Sequence, residues 1–284
     1  MDSEQRVLGS QKFSHSKSPA WYTFMRLLSK ISVDKLPLAF REPSIMRPED
    51  PISFGGFVKV RPANVRFVRG EENIHIAVKS ARPAFASPNP DKLHANERDL
   101  NNAYREIATM RHPALINHAN IVQLRAIDTE EFLIGAEENL FLLVEFAEKG
   151  TLDSYLQQCN VDLDTKVQFC TDTARGLAAL HCAGILHNDV KADNVLIFRH
   201  DANHSGLVAK VSDFGCCVSL ESKTATPGHL FWACPELSQR VQPTVQWDVY
   251  SYGFIVLCCA VTRNPFSYMT EKRMTSMKHN TIIY

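Results

Sequence analysis

Apolar and polar positions change their period several times along the chain, and each change marks a different element. Trp21, Phe24, Met25 and Leu28 recur at i, i+3, i+4 and i+7, which predicts one amphipathic helix from Ala20 to Lys30. Pro43, Pro48 and Pro51 then predict an extended connector. From Ile52 the pattern turns to short β-type runs: Ile52–Val60 reads as a strand, a glycine turn at Gly55-Gly56 and a returning strand. Ile74–Lys79 alternates into another strand. Pro83, Pro88 and Pro90 mark a loop, after which Leu100, Ala103, Ile107 and Met110 predict a helix from Asp91 to Arg111. Phe141–Phe146 is a buried-type strand that breaks at Ala147–Leu152. A long helix follows with Val167, Cys170, Ala174, Leu177 and His181 along one face. Ala209–Asp213 is a last strand, and Asp248–Gly253 opens an apolar helix that Asn264-Pro265 ends.

Composition narrows what such a chain can do. At 284 residues, 45% of them apolar, it can bury a full core in one or two lobes. The formal net charge of +0 supplies no general pull towards nucleic acid or an anionic membrane, and no local basic stripe is evident. The eight cysteines all lie in the second half and none has Cys-x-x-Cys spacing, so buried free thiols are expected rather than a zinc site. The N-terminus has no signal-peptide pattern. The longest apolar run, Gly253–Val261, falls far short of the ~20 residues that cross a bilayer. A reducing, cytoplasmic setting is the expectation.

The densest chemistry lies in Ile185–Ile197, where Asp189, Lys191 and Asn194 stand at short offsets between two apolar runs. An acid can accept a hydroxyl proton, an ammonium can sit on a moving phosphoryl group, and an amide oxygen can ligate Mg²⁺. A polar turn would tolerate any order of these residues, so partners elsewhere in the chain must discriminate. His187-Asn188-Asp189 with Asn194 resembles the protein kinase catalytic loop, His-Arg-Asp-Leu-x-x-x-x-Asn. Further motifs follow in the order of that family. Ile-Ala-Val-Lys ends at Lys79, and the helix after it carries Glu106. His118-Ala119-Asn120-Ile121-Val122 resembles the segment before the family's fourth strand. Glu145-Phe146-Ala147 resembles the hinge, Asp213-Phe214-Gly215 the metal-binding motif, and Gly228–Glu236 the segment closing in Ala-Pro-Glu, with Cys234 for its alanine. The resemblance runs from Ile52 to Phe266.

That resemblance implies an α+β, bilobal protein-kinase-like fold: a small, mainly antiparallel β lobe with one helix, and a larger, mainly α lobe. The expected division is an N-terminal extension at 1–50, the small lobe and hinge at 51–147, and the large lobe at 148–284. It also implies ATP and Mg²⁺ as cofactors and a Ser or Thr hydroxyl of a protein as acceptor, since Asp189-x-Lys191 resembles the Ser/Thr-specific loop; with the Glu145-Phe146 hinge and Gly150-Thr151-Leu152 the sequence resembles Ser/Thr kinases of the tyrosine-kinase-like group. In the implied site Asp189 is the base, Lys191 neutralises the transferring phosphoryl, Asn194 and Asp213 hold Mg²⁺, and Lys79 paired with Glu106 positions the phosphates. Ile52, Gly55, Val60, Ala77, Val144, Glu145, Ala147 and Leu196 would surround the adenine and phosphates, with Val144 as gatekeeper and the Glu145 and Ala147 backbone at the adenine edge. Asp248 would hold the catalytic-loop backbone.

Three departures qualify the expectation. Only the middle glycine of Gly-x-Gly-x-x-Gly is kept, as Gly55, while Ser53 and Val58 replace the others. Asn188 removes the arginine that grips an activation-loop phosphate, so phosphorylation of Ser219, Ser222, Thr224 or Thr226 is not expected to be the main on-switch. The chain also stops at Tyr284, which reads as a truncated large lobe with no arginine for Glu236. Phe254, Ile255 and Leu257 would be partly uncovered there and open to a partner. The alternative is a non-catalytic scaffold on the same fold.

Overall fold

The structure, a computed structural model, describes residues 53–54, 58–66, 73–81, 90–130, 139–223, 225, 228–229, 231–236 and 242–266. The Ala20–Lys30 helix, Ile52, Gly55, Thr224, Thr226 and the 267–284 tail lie outside the described residues.

The β-type runs form one five-stranded antiparallel sheet in the order β1-β2-β3-β5-β4. Its strands are β1 (Ser53–Phe54), β2 (Val58–Arg66), β3 (Asn73–Ala81), β4 (Leu124–Glu130) and β5 (Asn139–Glu145). The period of two splits β3 between two cores. Ile76 and Val78 pack on one face with Ala126 and Leu143, while Ala77 faces the main core, so Lys79 is on that side as well. There it meets α1 (Pro90–Met110), whose Leu100, Ala103, Ile107 and Met110 are all buried in the main core.

The second lobe is mainly helical: α2 (Leu152–Gln158), α3 (Leu163–Cys182) and α4 (Val245–Val261). Thr151 opens α2 with a capping box to Ser154, and Asp162 caps α3 by accepting from the Thr165 N–H at 2.8 Å. Short strands β6 (Ile185–Leu186), β7 (Val195–Arg199), β8 (Leu207–Val211) and β9 (Val218–Ser219) pair as β6–β9 and β7–β8. They bracket the polar loop and pin both its ends.

Three expectations need correction. The deep face of α3 is Phe169, Thr173, Gly176, Leu177 and Leu180, whereas Val167 is 55% exposed. Small and polar residues define that face, because α3 lies against the main chain of residue 120, so a stripe of apolar letters misses it. Ile255 is fully buried; Val256 and Leu257 are the exposed apolar residues at that level of α4. All eight cysteines are free, but Cys159 and Cys182 are exposed rather than buried. No described helix is long and apolar enough to cross a membrane.

Candidate active site

β3, α1 and the end of β8 bring three charged groups together. Lys79 Nζ pairs with Glu106 Oε1 and lies 3.3 Å from Asp213 Oδ1. Burial by itself would push the Lys79 ammonium down, but Asp213 and Glu106 outweigh it and hold its pKa above the ordinary lysine range. Lys79 in turn is the main reason that Asp213 stays below the usual carboxylate range. Both groups are therefore charged at neutral pH. Asp213 adopts left-handed backbone, φ 64° and ψ 72°, a conformation that costs a non-glycine residue about 1–3 kcal/mol unless its surroundings impose it. They do here. Phe214 is fully buried on one side, and on the other Ser212 donates its N–H and hydroxyl to the Asn194 carbonyl, each at 2.9 Å.

The polar loop runs beside this cluster. Asp189 Oδ2 accepts from Lys191 Nζ at 2.8 Å and from Asn194 Nδ2 at 2.9 Å, and the same Nδ2 reaches the Asp189 carbonyl at 2.8 Å. Burial would lower the Lys191 pKa, but Asp189 above all raises it beyond the ordinary value. Both Asn194 contacts use the amide nitrogen, so the carbonyl oxygen is the atom it can offer a cation. The loop is anchored from below. Buried Asp248, in the first turn of α4, accepts the N–H groups of His187 and Asn188 at 2.8 Å each, and His181 Nε2 lies 2.8 Å from its Oδ2. Asn188 takes φ 65° and points Nδ2 at the Cys216 carbonyl, 3.2 Å away.

Across the cleft, Ala77 and Val144 are register partners in the β3–β5 pair and both are buried; Leu196 packs part-buried against the same core. Val60 is the backbone partner of Lys79 in β2. The Glu145 N–H donates to the Gln123 carbonyl at 3.2 Å, and the Ala147 carbonyl accepts from the Gly150 N–H at 3.1 Å, bonds that brace the chain where β5 leaves the sheet. The Glu145 carboxylate pairs with Arg125 at 2.6 Å and Lys210 at 2.7 Å.

The structure thus brings together Lys79, Glu106, Asp213, Asp189, Lys191 and Asn194. Sequence reasoning missed the ion pairs of Glu145, the bond of His181 to Asp248, and buried Gln123, whose amide donates to the Ile121 carbonyl at 2.8 Å. The signal for Lys210 was its place in the strand ending at Asp213; His181 and Gln123 carried none beyond being polar in apolar surroundings.

Two lobes, a lysine–carboxylate pair and an acid-lysine-amide loop facing a second carboxylate define a phosphotransferase type of cleft. The protein kinase domain model matches residues 55–283, and the chain belongs to that family. It is 26% identical over 239 residues to the serine/threonine-protein kinase PAK 4 of Mus musculus, covering 82% of this chain and 36% of that protein. It is 33% identical over 203 residues to the mitogen-activated protein kinase kinase kinase bck1 of Aspergillus fumigatus, covering 68% of this chain and 11% of that protein. A kinase of the same description from Pyricularia oryzae, MCK1, is 33% identical over 172 residues. The chain spans about a third of the length of the first of these relatives, 36%, and far less of the others.

Proposed function

We propose that this chain transfers the γ-phosphoryl group of Mg·ATP to Ser or Thr hydroxyls of proteins. The observation that carries the reading is the convergence of Lys79, Glu106 and Asp213 with the Asp189–Lys191–Asn194 loop, groups that lie far apart in sequence. The serine/threonine specificity named for PAK 4 agrees with it. Asp189 orients the hydroxyl and takes its proton, a base role worth about 10²–10⁴ in rate. Lys191, already on Asp189, sits beside the phosphoryl in transit, and Lys79 holds the phosphates while Glu106 fixes its direction.

The residues present suit a magnesium nucleotide. Asp213 is ionised and half exposed, and Asn194 has an amide oxygen to give, a donor set of one carboxylate and one neutral oxygen that leaves room for phosphates and water. Asn194 and Asp213 would hold the ion, which when bound neutralises charge on the β and γ phosphates. Ile52, Gly55, Val60, Ala77, Val144 and Leu196 would enclose the nucleotide, with the Glu145 and Ala147 backbone at the adenine edge and the lobes divided at 51–147 and 148–284. Eight free cysteines accord with a cytoplasmic setting.

Asp189→Asn tests the assignment. Labelled-phosphate transfer to a generic protein should fall by about 10²–10⁴-fold, to a small residual rate, while Mg·ATP still raises the melting midpoint; a variant with wild-type turnover would refute it. The scaffold reading rests on Ser53 and Val58 in the glycine loop, and a wild-type chain that binds Mg·ATP without transfer would select it.

A further inference from the structure

The two oxygens of Asp189 are used differently. Oδ2 accepts from Lys191 and Asn194, at 2.8 and 2.9 Å, which commits both of its lone-pair directions. Oδ1 is buried and receives no hydrogen bond among the described residues, although Asp189 is only 8% exposed. Oδ1 is therefore the oxygen left to take a proton from an incoming hydroxyl.

Main chain lies against that oxygen. Gly228 donates its N–H to the Asn188 carbonyl at 3.0 Å, and a Cβ built on it would stand 2.5 Å from Cβ, Cγ and Oδ1 of Asp189 alike. Carbon atoms pack at about 3.5–4.0 Å, so such a group would intrude by about an ångström. The carboxylate has little freedom to retreat, because Lys191 and Asn194 hold its other oxygen. A small cavity lined by Asn188, Asp189, His229, Trp232 and Ser251 lies between this loop and α4.

On the functional reading above, we infer that Gly228 is a positioning residue of the phosphotransfer site: its missing side chain lets main chain lie against the Asp189 carboxylate without turning Oδ1 out of position. Main chain at Gly228 can thus lie on the base and shield it from bulk water. Glycine is required for the close approach of backbone to carboxylate, not for its φ, since Gly228 is not among the positive-φ glycines of the described residues. Any larger residue would turn the carboxylate away or push the main chain off it.

The test is Gly228→Ala in the full chain, assayed by labelled-phosphate transfer from Mg·ATP to dephosphorylated casein and by the Mg·ATP-induced rise in melting midpoint. The expected result is a kcat lowered at least about tenfold, as misplacing a reacting group by a fraction of an ångström to an ångström does, with the Mg·ATP shift retained. A kcat within about twofold of wild type overturns the inference, and so does loss of the Mg·ATP shift, which would make Gly228 a folding residue. The same substitution in an Asp189→Asn background separates the causes. If Gly228 acts through Asp189, it should lower the residual transfer there by less than about twofold, whereas an equal loss in both backgrounds overturns the inference. Wild-type chain that transfers no phosphate would overturn the functional reading itself, and this inference with it.

Discussion

Asn188 stands where the family carries an arginine, and its side chain is engaged inward, on the Cys216 carbonyl at 3.2 Å. An arginine fork can make one to three charge-assisted bonds to a phosphate, which a neutral, short amide cannot replace. Alanine at Ser219, Ser222, Thr224 and Thr226 together should therefore leave phosphotransfer close to wild type, measured on the same generic protein substrate. A collapse of activity would show that another cation reads a phosphate on this segment. The neighbouring residue illustrates how far single positions could be read from sequence. Asp189 was legible from its order with Lys191 and Asn194, but that both of them reach the same oxygen was not, nor that Gly228, 39 positions further along, lies against the carboxylate.

At the scale of elements, α3 shows what packing adds to pattern. Gly176 faces the loop after α1 so closely that a Cβ would stand 2.6 Å from the Asn120 carbonyl oxygen and 2.8 Å from Val211 Cγ2. Gly253, on the exposed side of α4, would meet nothing within 4 Å. Alanine is favoured over glycine inside a helix by about 0.5–1 kcal/mol, whereas forcing an extra carbon into a packed core costs about 1–3 kcal/mol. Gly253→Ala should therefore raise stability by about 0.5–1 kcal/mol and Gly176→Ala should lower it by about 1 kcal/mol or more. Urea unfolding of the two variants checks both signs; a stabilised Gly176→Ala would mean that α3 does not sit against Asn120 as described.

The whole molecule is joined at Glu145, where β5 leaves the sheet. Its carboxylate reaches Arg125 on β4 and Lys210 on β8, so one side chain ties the sheet to the strand that leads to Asp213. Arg125 is 47% exposed and its pair should contribute under about 1 kcal/mol. Lys210 is mostly buried, with its ammonium also 4.8 Å from the Phe198 ring centroid, so that pair should dominate. A double-mutant cycle with Glu145→Gln and Lys210→Met should return a coupling of about 1 kcal/mol or more, read from melting or urea midpoints; independent, additive effects would rule out the tie. Nothing in the alternation around Glu145 foretold it, since its partners come from two other strands. The order of the main elements, the two-lobed class and the six polar groups brought together in the cleft could be read from the chain, because period, turn residues and motif order are local properties. Which face of α3 is deep, which charges the Glu145 carboxylate pairs with, and what covers Asp189 were decided only by the fold. Those facts depend on which distant backbone comes within a few ångströms, and a residue's letter carries no record of its neighbour across the core.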